Sequence, residues 1–280
     1  MFKFLFRRFV SLIPVIFIIS LMLFGLFKSM PGDPVKLMIP PGIKSEVQRQ
    51  ALYDAKVQQL GLDKSLPEQY VRWIGNTLTG DFGISTSFNK PVVEVIEQPL
   101  KNSIKLNVFV VILSFMISIP VGIMSAVKRH SLFDSFWQVF SLVGLSMPVF
   151  FIGLLMIFTL AINLRWLPAG GMPFKLSGDF INDTLQWARY MTLPIITLTI
   201  GSLAGTIRYV RNAMIEVISK DFIRTARSKG LSEKVVIYSH AFRNALIPVV
   251  TLVAGSLVGL FGGAAITESI FAWNGIGYVL

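Results

Sequence analysis

The chain has 280 residues, of which 53% are hydrophobic and 15% are charged, and its formal net charge is +11. A soluble domain of this size carries about 25% charged residues, so the composition excludes an ordinary soluble protein, as well as disordered, collagen-like and disulfide-rich secreted chains. The absence of cysteine excludes disulfides, thiol catalysis and cysteine zinc sites, and two histidines argue against a histidine metal site. We therefore expect an all-α, polytopic membrane protein.

Five apolar runs are long enough to cross a membrane as helices, since a span needs about 20 mainly apolar residues. The first run follows a basic N-terminus, but it is too long for a signal peptide and lacks a cleavage site of the small-x-small type. We therefore expect it to be a retained anchor. The five predicted spans are 9–27, 106–127, 136–162, 190–207 and 245–266.

Positive charges in the connecting segments predict the orientation of the chain. Segment 208–243 contains eight lysines and arginines, whereas the link 164–189 on the opposite side contains three. The N-terminus, which falls on the same side as 208–243, is also basic. We therefore expect a cytoplasmic N-terminus, with 28–105 and 164–189 outside the membrane.

Segment 28–105 predicts a small helical lobe on the outer side. Its first helix covers about 45–60, and the alternating charges of that helix are typical of a solvated surface. A second helix begins at a capping box, in which Ser65 caps the first backbone amides and Glu68 returns a hydrogen bond. We expect this second helix to run to Leu78.

Prolines and glycines in the spans indicate bent and closely packed helices. Pro148 lies inside the third span, where a proline kinks a helix, and Ser146 beside it belongs to a set of neutral hydroxyls. No span has a charge near its centre, which disfavours an ion-driven pump or a voltage-gated channel. Small residues four apart permit close helix approach, and both ordinary packing and a mobile pathway remain open. The glycines concerned are Gly201, Gly205, Gly255, Gly259 and Gly263.

Segment 208–243 predicts a helical elbow between the fourth and fifth spans. Gly230 suits a left-handed helix end, and Ser232 can cap a second helix that starts with Glu233. These residues are compatible with an amphipathic helix on anionic lipid and equally with a peg that fits a groove of a partner protein. One apolar stripe with a basic opposite face recurs every four residues, at Met214, Ile218, Phe222 and Ala226.

Several motifs resemble one family of transport proteins. The run FIRTARSKGLSEKVVIYSHAFRNALIPVVT resembles the cytoplasmic "EAA" loop of permease subunits of ATP-binding-cassette importers, in the OppB or DppB branch for oligopeptides, dipeptides or nickel. The triplet of that loop is here Arg224, Thr225 and Ala226, without the family's glutamate, and Gly230 has the matching position. Further segments resemble the same branch in chain order: FKSMPGDPV, LGLDKSLPEQYVRWIGNTLTGDFGIS, SMPVFFIGLLMIF, RWLPAGG and AITESIFAWNGIGYVL.

The resemblance implies a permease subunit of a bacterial or archaeal cell membrane that forms half of a peptide pathway. The implied partners are a second homologous permease subunit, two ATPase subunits and an external substrate-binding lipoprotein, with membrane lipid around the chain and no nucleic acid. ATP and Mg would be bound by the ATPase subunits, since this chain has no phosphate-loop motif and no cofactor of its own. The elbow would couple to the ATPase through Arg224, Thr225, Ala226, Gly230, Leu231 and Ser232.

The resemblance also implies a sixth span after WNGIGYVL, so we expect 267–280 to be an outer segment leading to a span absent from this chain. The expected order is an N-terminus with first span (1–27), an outer lobe (28–105), a transmembrane core (106–266) and this last segment. Nickel or a metal chelate remains an alternative cargo. A channel or a membrane scaffold is a further alternative, and we expect neither an enzyme, nor catalytic residues, nor a metal site.

Overall fold

A computed structural model describes residues 2–40, 42–43, 45–173 and 177–280. Within these residues every regular element is a helix, and two stretches are π-helical. Four of the described helices are long and apolar enough to cross a membrane, and a bent pair of helices gives a fifth candidate. The predicted class is therefore confirmed: the chain is an all-α, multi-pass membrane protein.

The first of two compact units covers residues 1–95 and begins with a long apolar helix. Three shorter helices follow among the residues that the structure describes in this unit. The bounds are α1 Phe2–Ser29, α2 Pro34–Leu37, α3 Glu46–Leu60 and α4 Leu66–Leu78.

Capping residues set the ends of α3 and α4 as the sequence predicts. Ser45 accepts a hydrogen bond from the backbone amide of Gln48 at 3.4 Å, and Gly61 ends α3 with a φ of +67°. At the start of α4, the backbone amide of Ser65 donates to the carboxylate of Glu68 at 3.2 Å, which completes the capping box. Each bond satisfies an amide that the helix itself cannot pair.

Helix α4 packs on α1 through its aromatic side chains. The hydroxyl of Tyr70 lies 2.8 Å from Oγ of Ser20, and the Tyr70 ring meets Phe24 edge-on at 5.5 Å between centroids. The Trp73 ring lies 5.9 Å from the same Phe24 ring. Because Ser20 belongs to the predicted span 9–27, this part of the predicted outer lobe lies against the anchor helix and is not a separate solvated body.

The second compact unit covers residues 96–280. Its longest helix packs on the bent pair of helices that precedes it in the chain and on the membrane-crossing helix that follows the elbow. The bounds are α5 Val92–Val127, α6 Leu132–Ser146, α7 Val149–Met156 with a π-helical continuation Ile157–Asn163, α8 Phe180–Ile218, α9 Asp221–Ser228, α10 Glu233–Val235 with a π-helical continuation Val236–Phe242, α11 Arg243–Gly259, α12 Ala265–Ile270 and α13 Ile276–Val279.

Two helices extend well beyond their predicted spans. Helix α5 begins at Val92, so the predicted boundary between the outer lobe and the core, at 105, falls inside a helix. Helix α8 has 39 residues and begins at Phe180, ten residues before the predicted span. Apolarity alone ends a predicted span where charges begin, whereas the backbone hydrogen bonds of a helix continue through polar residues.

The third predicted span, 136–162, is covered by a bent pair of helices and not by one continuous helix. Helices α6 and α7 meet at a bend of 103° between Ser146 and Val149. Pro148 is the N-cap of α7, and Met147 before it is extended, with a ψ of 128°. The proline ring disfavours a helical residue in front of it, which explains why the break falls at Met147.

The end of the chain also differs from the prediction. Helix α11 ends at Gly259, short of the predicted limit of the fifth span at 266, and a separate helix begins at Ala265. The segment 267–280, expected to be an outer segment leading to a further span, contributes buried residues to the second unit. Glu268 and Trp273 each have 0% of their surface exposed.

Candidate coupling elbow and helix-packing site

Segment 208–243 folds as a helix–glycine–helix elbow between α8 and α11. Gly230 follows α9 with a φ of +74°, and its backbone amide donates to the carbonyl of Arg227 at 2.9 Å. Helix α10 then begins at Glu233. A left-handed residue at this point reverses the chain after one short helix, and glycine adopts that conformation without the penalty of a Cβ.

The buried face of the elbow differs from the predicted stripe. Helix α8 ends at Ile218 and α9 starts at Asp221, so the four-residue periodicity does not continue through the break. Ile223 is fully buried in α9, whereas the predicted stripe residue Phe222 is 43% exposed. The prediction of a single stripe from Met214 to Ala226 is therefore wrong.

The elbow rests on a hydrophobic cluster that joins it to the two long helices. Ile223 and Ala226 of α9 meet side chains from α5, α8 and the helices after Gly230. Burying a large aliphatic side chain contributes about 1.5–3 kcal/mol, so this cluster fixes the elbow firmly to the core. The fully or largely buried members are Ile123, Ala126, Val210, Met214, Ile223, Ala226, Val236, Ile237, Ala241, Ala245 and Val249.

The opposite face of the elbow exposes large apolar side chains. Leu231 is 40% exposed and Tyr238 is 55% exposed, and Phe222 and Val235 are exposed beside them. We refer to these four side chains as the apolar knob. Exposed apolar groups that cluster on one surface mark a contact with a protein partner or with a membrane.

The elbow also exposes charged side chains. The guanidinium of Arg227 pairs with the carboxylate of Glu233 at 2.7 Å across Gly230, and this hydrogen bond raises the pKa of Arg227 above its ordinary value. Arg224 lies 3.9 Å from Asp221, with both side chains more than four-fifths exposed. An exposed ion pair of that kind contributes little to the stability of the fold. The guanidinium of Arg224 can therefore pair with an acidic group of another molecule.

The structure places most of the predicted coupling residues on the exposed side of the elbow. The exception is Ala226, which is 6% exposed and faces the cluster beneath α9. Ser232 is at the N-cap position of α10 but makes no capping hydrogen bond with its side chain, contrary to the prediction. The exposed residues of the predicted set are Arg224, Thr225, Gly230, Leu231 and Ser232.

The predicted pathway residues Ser146 and Pro148 lie at the bend between α6 and α7. The hydroxyl of Ser146 donates to the carbonyl of Leu142, one turn earlier, at 2.9 Å. Its hydrogen bond is therefore used within its own helix, as is common for serine in apolar helices. Pro148 contributes through the backbone, as the residue that forces the bend.

Two predicted glycines of α8 lie against this bend. A Cβ on Gly201 would be 3.5 Å from Cγ2 of Val149, and one on Gly205 would be 4.0 Å from Cδ2 of Leu145. On the facing helix, a Cβ on Gly144 would be only 2.8 Å from Cβ of Ala204. Small residues on both sides thus bring α6 and α8 into close contact.

The three predicted glycines near α11 have different surroundings. Around Gly255 and Gly259 no atom of the described residues lies within 4 Å of an added Cβ, so this face of α11 is open. Gly263 has a φ of +63°, and a Cβ there would be 2.6 Å from Cγ2 of Ile276. It is therefore a tight junction with the C-terminal segment.

Sequence analysis missed a buried ion pair near the elbow. Nε of Arg211 in α8 is 2.6 Å from Oδ1 of Asp134 in α6, and Nη2 is 2.8 Å from Oδ2. The backbone amide of His130 also donates to this carboxylate at 3.0 Å. The partners are 77 positions apart in the chain, so no local pattern indicates the pair.

A second missed group is the carboxylate of Glu268, which the sequence places only near the end of a span. It accepts hydrogen bonds from the hydroxyl of Ser103 at 2.7 Å and from the backbone amides of Ala264 at 3.2 Å and Tyr278 at 3.0 Å. Ser103 in turn accepts a bond from the backbone amide of Ile276 at 2.8 Å. This network ties the C-terminal segment to α5.

The chain thus combines apolar helices that can cross a membrane with a helical elbow that packs on two of them. Residues 118–280 match the family described as the binding-protein-dependent transport system inner membrane component. Residues 1–94 match the N-terminal family of the same membrane components. The chain belongs to this family of transport-system inner membrane components, which confirms the resemblance in the sequence.

Similar proteins span nearly the whole chain. The oligopeptide transport system permease protein AppB of Bacillus subtilis is 37% identical over 272 residues, which cover 97% of this chain and 84% of AppB. The dipeptide transport system permease protein DppB of Escherichia coli K12 is 37% identical over 296 residues, covering 99% and 86%. The di/tripeptide transport system permease protein DppB of Pseudomonas aeruginosa is 36% identical over 293 residues, with the same coverage.

Proposed function

We propose that this chain is one of two permease subunits of an ATP-driven importer and forms half of the pathway for peptides. The chain is a multi-pass membrane protein of a transport family, and the relatives named for oligopeptide, dipeptide and di/tripeptide transport support peptides as the cargo. The role is transport without chemistry on the cargo. Nickel or a metal chelate is the second candidate cargo within the same class.

The exposed apolar knob of the elbow is the observation that carries the proposal. Its side chains project from a rigid base, because the opposite face of α9 is buried in the hydrophobic cluster. Arg224 and the Arg227–Glu233 pair add charge beside it. An apolar centre with a charged rim is the usual composition of a protein–protein interface, which favours a groove of a partner over a lipid surface.

In this proposal the chain is supplied with energy by two separate ATPase subunits, which bind ATP and Mg and dock on the elbow. Closure of the ATPase pair moves the elbow, and the hydrophobic cluster transmits the movement to α5 and α8. The bent α6–α7 pair and its glycine contacts suit the rocking of helices in alternating access. A second, homologous permease subunit completes the pathway.

The proposed orientation has the N-terminus and the elbow in the cytoplasm of a bacterial or archaeal cell. An external binding lipoprotein then delivers cargo to the side that holds α3, α4 and the segment before α8. The chain has no cysteine, so single-cysteine variants test this orientation without background. We expect an impermeant maleimide to label Val47→Cys in α3 on intact cells and Leu231→Cys only after lysis, and the reverse pattern would overturn the orientation.

Cross-linking tests the proposed contact with the ATPase. Leu231→Cys, at the exposed tip of the elbow, is expected to cross-link to an ATPase subunit in membranes that contain the whole transporter. Ile223→Cys, on the buried face of the same elbow, is the matched control and is expected to remain unlinked. Cross-linking of Leu231→Cys to lipid alone, with the ATPase present, would support the scaffold alternative.

Uptake tests the transport function itself. We expect Gly230→Asp to reach the membrane in normal amounts but to uncouple ATP hydrolysis from uptake, because the left-handed backbone is strained by a Cβ and an acid is added among the charges of the elbow. Labelled dipeptide and labelled nickel are offered to the unaltered transporter in parallel. Uptake of nickel without uptake of peptide would contradict peptide as the cargo and support nickel instead.

A further inference from the structure

A cavity of about 590 Å³ lies beside the start of α8, on the side that the proposed orientation places outside the cell. Its volume is within the range of about 300–1,000 Å³ that is typical of small-ligand sites. Two arginines, Arg165 and Arg189, line it together with Gln186 and Tyr190. Leu167 and Pro168 contribute an apolar wall.

The charge of this cavity is not compensated by the chain around it. Among the residues that the structure describes, the cavity lining contains two guanidinium groups and no acidic side chain. Within the described residues, neither Arg165 nor Arg189 forms an ion pair. The cavity therefore presents a net positive charge to a ligand.

The two acids nearest in sequence are already used by the start of α8. The carboxylate of Asp183 accepts hydrogen bonds from the amide and hydroxyl of Ser177, at 2.7 and 2.8 Å, and from the amide of Gly178 at 3.1 Å. Asp179 caps the helix and accepts a bond from the amide of Ile181 at 3.2 Å. Both carboxylates hold the loop and the helix start, which leaves the arginines for an external anion.

Contacts next to the lining residues tie both walls of the cavity to the C-terminal segment. The backbone amide of Gly171 donates to the carbonyl of Phe271 at 2.7 Å, which anchors the loop 164–171 to the C-terminal segment. Trp187 of α8 meets Trp273 edge-on, with 5.9 Å between ring centroids. A rigid wall reduces the entropy that binding would otherwise cost, so the site is preorganised.

We propose that this cavity binds the C-terminal carboxylate of a short peptide, which rests on the proposed role in peptide import. Arg165 and Arg189 hold the carboxylate, because a guanidinium forms paired hydrogen bonds with a carboxylate. Gln186 and Tyr190 offer hydrogen bonds to the last peptide groups, and the wall of Leu167 and Pro168 contacts an apolar side chain of the peptide.

Direct binding to the purified full chain tests this proposal. The chain is placed in nanodiscs of phosphatidylcholine, and trialanine and trialanine amide are titrated with calorimetric detection. We expect the free acid to bind at least about tenfold more tightly than the amide, the factor for one charged hydrogen bond. Equal binding of acid and amide would overturn the proposal.

Variants then locate the interaction in the cavity. Arg165→Gln and Arg189→Gln keep a polar side chain but remove the guanidinium and its charge, and we expect each to lose about tenfold in affinity for the acid and nothing for the amide. Arg129→Gln, in the turn between α5 and α6, is the matched control and is expected to bind like the unaltered chain. Unchanged affinity in both cavity variants would contradict the proposal.

Two further readouts separate the remaining explanations. If the cavity variants lose retention of added phosphatidylglycerol but keep their affinity for trialanine, the cavity is a lipid site and the proposal is overturned. If replacement of both cavity arginines leaves the rate of peptide import unchanged, the carboxylate site fails while the proposed import function stands. Tight, arginine-dependent binding of the acid without any peptide uptake would instead support the site and overturn the import function.

Discussion

Arg211 of α8 holds Asp134 of α6 through two hydrogen bonds of 2.6 and 2.8 Å in a nearly dry environment. The side chain of Asp134 is 3% exposed and that of Arg211 is 11% exposed. The carboxylate of Asp134 also accepts a hydrogen bond from the backbone amide of His130, and the backbone amide of Asp134 donates to Oγ of Ser131 at the N-cap of the same helix. This pair joins the bent helix pair to the helix that leads into the elbow.

Loss of one partner of this pair is expected to destabilise the protein strongly. Arg211→Gln or Asp134→Asn leaves a buried charge without its counterpart, and such changes cost about 3–5 kcal/mol. The double variant is expected to be less damaging than the sum of the two single variants, because no uncompensated charge remains. Thermal unfolding in detergent measures these effects.

An exposed ion pair of similar length serves as the control. Lys101 and Glu97 are 2.6 Å apart on α5, but both side chains are more than half exposed. Lys101→Gln is therefore expected to change stability by less than about 1 kcal/mol. If Arg211→Gln were as mild as Lys101→Gln, the buried pair would not hold α6 to α8.

Gly230 is expected to tolerate asparagine better than alanine. No atom of the described residues outside the adjacent chain lies within 4 Å of an added Cβ, so the cost is the left-handed backbone alone, about 1–2 kcal/mol for alanine. Asparagine visits that conformation more readily than alanine does. The rate of trypsin cleavage after Arg227 and Lys229 measures how often the elbow opens, and we expect Gly230→Ala to raise it about tenfold.

Gly75 provides the control for this comparison. It lies in the middle of α4 with a helical backbone, and an added Cβ there also has no neighbour within 4 Å. Gly75→Ala is expected to stabilise its helix, because alanine has the higher helix propensity. If alanine changed the local stability equally at Gly75 and at Gly230, backbone conformation would not explain the role of Gly230.

The local features of this fold can be predicted from the sequence. Ser65, Glu68 and Gly61 specify the ends of α3 and α4 through bonds between residues a few positions apart. Gly230 indicates the turn of the elbow for the same reason. The number of apolar runs gives the membrane class, because hydrophobic length is a property of each segment alone.

Features that depend on distant contacts could not be predicted in this way. Glu268 and Ser103 are 165 positions apart, and their bond is what brings the C-terminal segment into the core. The buried face of α9 depends on the break in the helix after Ile218. Because of this break, the residues of α9 that face the core do not continue the four-residue spacing of α8. The cavity could not be predicted from Arg165 and Arg189 either, because in the sequence they resemble ordinary interfacial charges. Only the fold, which brings the loop before α8 next to that helix, places both of them in one cavity.

A methyl group at the contact of α5 with α8 is expected to separate these helices. A Cβ on Gly122 would lie 2.7 Å from Cβ of Val210 and 3.1 Å from the backbone nitrogen of Arg211. Overpacking of this kind costs about 1–3 kcal/mol. We expect Gly122→Ala to lower the unfolding temperature in detergent, and we expect Val210→Gly, which removes the Cβ that lies 2.7 Å away, to abolish most of this effect of Gly122→Ala.

Gly25 of α1 is the matched helical glycine for that experiment, because no atom lies within 4 Å of an added Cβ there. Gly25→Ala is expected to leave the unfolding temperature unchanged or slightly raised. A loss for Gly122→Ala that the second substitution does not recover would place the damage elsewhere than at Val210.

Removal of the Glu268 carboxylate is expected to release the C-terminal segment from α5. Glu268→Ala leaves the hydroxyl of Ser103 and the backbone amides of Ala264 and Tyr278 without their acceptor, and each unpaired buried group costs about 1–3 kcal/mol. Hydrogen exchange of residues 264–280 measures the release, which we expect to exceed that of Glu94→Ala at the exposed start of α5. Glu268→Gln retains one acceptor oxygen and is expected to be intermediate. If Glu268→Ala left the exchange of this segment unchanged, the three bonds would not be what secures it.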